Sequence, residues 1–128
     1  MTKVLVADDD HDAAELLAQL FAMGGHEAQY ALNGRDAVHA SKAFTPTIMF
    51  LDLEMPILDG FEAAAAIKSD PQTAHIYVVA LSGAVGADIK ERTERAGFDF
   101  YLCKPASTRA LLSLVTEIAS TARPPSSH

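Results

Sequence analysis

A chain of 128 residues, 49% hydrophobic and 21% charged, is long and apolar enough to close one domain around its own core, which excludes disorder. A lone cysteine excludes a disulfide framework and a cysteine-based zinc site, and no apolar run approaches the roughly 18 residues of a membrane-spanning helix. Ten basic against seventeen acidic residues leave a formal charge of −7, which argues against direct contact with nucleic acid or an anionic membrane. The N-terminus enters a strand-like run with no secretory pattern, so a cytoplasmic location is expected.

Strand-like and helix-like segments alternate along the chain. Lys3 to Ala7 is a short, continuously apolar run, as for a strand covered on both faces. Ala13, Leu16, Leu17, Leu20 and Phe21 recur at helical spacing until Gly24-Gly25. His26 to Ala31 is a more polar strand, expected near a sheet edge. Asn33 can cap a helix carrying Ala37, Val38, Ser41 and Phe44, which Pro46 ends. Thr47 to Leu51 is a second buried strand in character. Phe61, Ala64, Ala65 and Ile67 mark a third helix. His75 to Leu81 is again an apolar strand. Residues 86–96 read as a helix with a thin apolar stripe, closed by Gly97. Phe98 to Cys103 is the last strand, and Leu111, Leu112, Val115, Ile118 and Ala119 form the last helical stripe. Residues 1–121 then make one domain, and 122–128 read as a flexible tail or the start of a linker.

Five strand–helix units predict an α/β fold, a doubly wound parallel five-stranded sheet with helices on both faces. Placing the apolar strands centrally and the polar second strand at an edge gives the order 2-1-3-4-5, a flavodoxin-like arrangement. In such sheets the site lies beyond the carboxyl ends of the strands. There the chain carries Asp8, Asp9 and Asp10, then Asp52, then Ser82, then Lys104-Pro105. Asp8, Asp9 and Asp52 beside Lys104 leave a local charge of −2. Like charges ~4 Å apart repel by about 4 kcal/mol at an effective dielectric of 20. Such a cluster must hold protons or a divalent cation, and carboxylates without His or Cys suit a hard ion such as Mg²⁺. An acidic triplet alone is usually a solvated turn, and Ser-Gly or Lys-Pro alone is a turn. Their joint placement at strand ends is what points to chemistry: a carboxylate that attacks phosphorus, with a metal and an ammonium group on the phosphoryl oxygens. The histidines lack metal-ligand spacing, and Cys103 reads as a buried, inert strand residue.

These stretches, Val4 to Asp10, Asp52 to Gly60, Leu81-Ser82-Gly83 and Tyr101 to Pro105, occur in the order and spacing of a known family. From residue 3 to about 121 the chain resembles the CheY-like receiver domain of two-component response regulators. The resemblance implies that Asp52 accepts a phosphoryl group. It implies that Asp9, Asp52 and the backbone carbonyl of Glu54 bind Mg²⁺, with Asp8 acting through a metal-bound water. Lys104 would pair with the phosphoryl group across a cis Lys104–Pro105 bond. Ser82 would be the switch hydroxyl and Tyr101 the aromatic switch, remodelling the surface of the fourth helix, fifth strand and fifth helix. The Glu54 side chain and Ala84 would modulate how water reaches the acyl phosphate. The donor would be a sensor histidine kinase or a histidine phosphotransfer protein, and the target a downstream protein or a fused output domain. On this reading the chain is a phosphoaccepting signalling domain rather than an enzyme, catalysing only its own phosphorylation and dephosphorylation. Two other readings remain. Asp52-Leu53-Glu54 is also similar to the nucleophile motif of haloacid-dehalogenase-like phosphohydrolases, although those place it on the first strand. A receiver used only for protein binding would not need the acid, Ser82 and Lys104 set.

Overall fold

The computed structural model describes residues 2–83 and 86–121. Five strands alternate with five helices: β1 (Lys3–Ala7), α1 (His11–Met23), β2 (Glu27–Ala31), α2 (Gly34–Phe44), β3 (Ile48–Asp52), α3 (Gly60–Ser69), β4 (Tyr77–Ser82), α4 (Ala87–Ala96), β5 (Phe100–Cys103) and α5 (Thr108–Thr121). The strands form one parallel sheet in the order β2-β1-β3-β4-β5, the flavodoxin-like topology expected from the sequence. No helix among the described residues is long and apolar enough to cross a membrane.

The period of two in a strand divides the core into two layers. Leu5, Ala7, Met49, Leu51, Val78 and Ala80 face one side and pack against α2 and α3. Val4, Val6, Ile48, Phe50, Val79 and Leu81 face the other and pack against α1 and α5. Phe21 of α1 stacks on Phe50 of β3 at 5.0 Å between ring centroids. Four helices start on side-chain caps, which satisfy amide groups that have no partner within the helix. Asp10 caps α1, Asn33 caps α2 as predicted, Asp59 caps α3 in a reciprocal box with Glu62, and the Ser107 hydroxyl accepts the Ala110 amide at the start of α5. Helix α4 begins at Gly86 with no side-chain cap, and Thr93 is its one buried residue. The thin stripe read from its sequence is therefore real.

Three local expectations are corrected. Helix α1 buries Ala14, Ala18 and Phe21, while Ala13 and Leu16 are exposed. Small alanines let the helix sit close to the sheet, and this turns the larger Leu16 outward. Strand β5 starts at Phe100 because the Asp99 carboxylate accepts the Val78 amide at 2.9 Å and so occupies a ladder position. Cys103 is exposed, since β5 is an edge strand. The expectations for Ala84 and for a tail over 122–128 lie outside the described residues.

Candidate functional site

Sheet register brings the acids together. Ala7 of β1 lies level with Leu51 of β3, so Asp8 and Asp52 come next at adjacent positions on the same rim. Carboxylate oxygens of Asp8, Asp9 and Asp52 lie within 4.8 Å of one another. Asp8 and Asp52 are buried and Asp9 is exposed. Local backbone turns orient two of them: the Asp10 amide donates to Asp8 Oδ1 at 3.0 Å, and the Glu54 amide donates to Asp52 Oδ1 at 3.1 Å.

Lys104 arrives from the far edge. Its amide donates to the Ser82 carbonyl at 2.8 Å, tying the end of β5 to that of β4. The Lys104–Pro105 peptide is cis. The Lys104 Nζ then lies 3.0 Å from Asp52 Oδ2 and 3.4 Å from Asp8 Oδ2. Burial pushes the Asp52 carboxyl above its ordinary range; the Glu54 amide and Lys104 oppose this, and the Asp8 charge adds to it. Burial acts to lower the Lys104 ammonium, but Asp52 and Asp8 outweigh it and hold the group above its usual value. Oxygen-only donors, two of them buried and one open to solvent, fit a hard divalent cation that keeps part of its water shell.

Ser82 ends β4 as a buried hydroxyl, in register with Cys103. Burial raises the Tyr101 phenol, and the neighbouring Cys103 raises it further, against a hydrogen bond with Ser82 that lowers it. A hydrogen bond thus joins Ser82 and Tyr101, and the Cys103 thiol donates to the same phenol oxygen at 3.6 Å. Glu54 stands exposed at the mouth, beside Asp9.

One basic residue at this mouth escaped the sequence reading. A cleft of about 530 Å³ runs from Asp9 past Glu54 and Asp59 to Phe61 and Arg92 of α4. The Arg92 guanidinium carbon lies 4.1 Å from the Phe61 ring centroid. No motif marks Arg92, because the ring it meets lies on another helix.

Comparison with known proteins is consistent with this geometry. Residues 4–116 match the response regulator receiver domain family. The chemotaxis protein CheY of Halobacterium salinarum is 30% identical over 117 residues, which cover 91% of this chain and 95% of that protein. Protein PilG of Pseudomonas aeruginosa is 33% identical over 113 residues, covering 88% and 84% respectively. Among solved structures, the receiver domain of the Francisella response regulator 1452 superposes with a TM-score of 0.88 at 28% identity, covering 96% of this chain and all of that one. A family match across most of the chain, on a sheet of the same topology, shows that this chain belongs to the response regulator receiver domain family, a signalling domain of two-component systems.

Proposed function

We propose that the chain is a phosphorylation-dependent switch whose acceptor is Asp52. The observation that carries this reading is the Asp52 carboxylate set among Asp8, Asp9 and Lys104 at one rim of the sheet. An Asp52 oxygen attacks phosphorus on a phosphohistidine of a sensor histidine kinase or a phosphotransfer protein. The new O–P bond forms as the P–N bond breaks, and the imidazole nitrogen leaves with the electron pair. Asp9, Asp52 and the Glu54 carbonyl would hold Mg²⁺, with Asp8 acting through water, and the ion would offset the negative charge that collects between carboxylates and phosphoryl oxygens. Lys104 moves from its Asp52 pairing onto a phosphoryl oxygen.

Phosphorylation adds about −1.5 to −2 charge and three acceptor oxygens. The Ser82 hydroxyl donates to one of them, and its hydrogen bond with Tyr101 is exchanged. The phenol ring then repacks against α4. Because α4 is held by little buried surface, the α4-β5-α5 face changes its population of packings and thereby its affinity for a target protein or output domain. Residues 1–121 form the switching domain. Its chemistry is limited to gaining and losing this one group, and the Glu54 side chain at the mouth tunes how fast water removes it.

Treatment with acetyl phosphate and Mg²⁺, followed by intact mass measurement, tests the reading. One phosphoryl group per chain is expected, lost with Asp52→Asn and with chelation of the metal. Steady turnover of phosphate monoesters, or a phosphoryl group retained in Asp52→Asn, would overturn it.

A further inference from the structure

The mouth of the site is acidic. Asp9, Glu54 and Asp59 line the cleft that leads to it, and the whole chain carries −7. Lys104 is engaged inside with Asp52 and Asp8. An anionic donor therefore approaches through an unfavourable field. Arg92 is the cation on the lining of that cleft. Among the described residues, carboxylates pair with Arg35, Lys42, Lys68, Arg95 and Lys104 but not with Arg92. Its guanidinium lies instead over the Phe61 ring, which is itself braced edge-on by Phe98 at 6.3 Å between centroids. A guanidinium held over a ring keeps its N–H donors for an oxyanion. Phe61 follows Gly60, whose amide donates to the Leu53 carbonyl one residue beyond Asp52. The ring beneath the cation thus belongs to the same loop and helix start that position the acceptor.

We propose that Arg92 is a specificity residue that attracts small, doubly charged acyl phosphates into the cleft and favours them over donors of lower charge. This rests on the reading of Asp52 as the acceptor. In the reaction the Asp52 oxygen bonds to phosphorus, the bridging O–P bond of the donor breaks, and the donor's carboxylate leaves with the electron pair. Arg92 neither gains nor loses a proton.

The test measures the rate of Asp52 phosphorylation against acetyl phosphate concentration, with saturating Mg²⁺, in wild type, Arg92→Gln, Arg92→Glu and Arg92→Lys. At low ionic strength the initial slope should fall about threefold in Arg92→Gln and about tenfold in Arg92→Glu. The rate at saturating donor should hold, and Arg92→Lys should restore the slope. The differences should shrink in 0.5 M salt, where the screening length falls to about 4 Å. Phosphoramidate, with one negative charge fewer, should be less affected. An Arg92→Gln slope equal to wild type at low salt overturns the inference. So does an Arg92→Lys slope as low as that of Arg92→Gln, which would mark a packing role. Wild-type protein that takes no phosphoryl group at Asp52 overturns the proposed function itself, and this inference with it.

Discussion

Replacing Asp52 by asparagine should stabilise the protein when no divalent cation is bound. The Lys104 Nζ is 3.0 Å from Asp52 Oδ2, an attraction of about 5.5 kcal/mol at an effective dielectric of 20. Against it stand Asp8 and Asp9, with oxygens within 4.8 Å, each repelling by at least about 3.5 kcal/mol on the same scale. The two repulsions exceed the attraction by about 1.5 kcal/mol. The penalty for burying a side chain that is only 10% exposed adds to that excess. Water at the half-open mouth screens every one of these terms, so the expected gain for Asp52→Asn is about 1 to 2 kcal/mol. For a domain of this size that is a rise in Tm of about 3 to 8 °C.

The pH dependence has a definite sign. The folded-state pKa of Asp52 lies above its ordinary value of 3.8, with burial as the largest cause. Between those two values the folded protein binds more protons than the unfolded chain, so this residue's contribution to stability falls as pH rises. Asparagine has no proton to lose. The advantage of Asp52→Asn should therefore vanish below pH 3.8, grow as pH climbs toward the folded-state pKa, and level off above it. Millimolar Mg²⁺ should narrow or reverse it, because only the wild type keeps the full ligand set and the stabilisation that binding adds. Thermal unfolding followed by far-UV circular dichroism, from pH 4 to 8 in EDTA and then in MgCl₂, reads both effects. An Asp52→Asn protein less stable than wild type at pH 7 in EDTA would mean that the Lys104 attraction dominates, and the charge balance above would be wrong.

Gly60→Ala should cost about 3 kcal/mol and slow phosphorylation, since a Cβ there would stand 2.5 Å from the Asp52 carbonyl oxygen and 2.7 Å from the Leu53 Cα. Urea unfolding measures it, and a loss below about 0.5 kcal/mol would show that the β3–α3 loop yields freely. Ile57 holds φ at 71° while 65% exposed, a conformation that a β-branched side chain resists and asparagine tolerates. Ile57→Asn should therefore stabilise by about 1 kcal/mol in the same assay, and a destabilised variant would reveal packing of the Ile57 side chain that outweighs the strain.

Much of the acidic rim was legible because it is written in one dimension. β1, β3 and β4 are unbroken apolar runs, so each marks a strand buried on both faces, and the next residue must lie at the rim. Asp8 and Asp52 could be placed together from that rule and the parallel order, and Lys104 from its place at the end of the last strand. Register then does the rest, since Ala7 and Leu51 are level and the acids follow them. Cys103 was misread because its strand is apolar and was given the burial of a central strand, although the expected order 2-1-3-4-5 already places β5 at an edge. Helix faces were harder. Ala13, Ala14, Leu16, Leu17 and Ala18 are all apolar, so composition leaves the rotation of α1 undetermined, and an error of one residue turns a side chain by about 100°. Arg92 is the extreme case. Its meaning depends on the angle of α4 about its own axis and on a ring 31 positions earlier in the chain, Phe61. Neither is expressed in spacing. A strand end announces its position through the run before it, whereas a charged residue on an exposed helix acquires a role only when another element supplies the surface beneath it. The lip of the cleft therefore has to be read from tertiary structure even where its floor can be read from sequence.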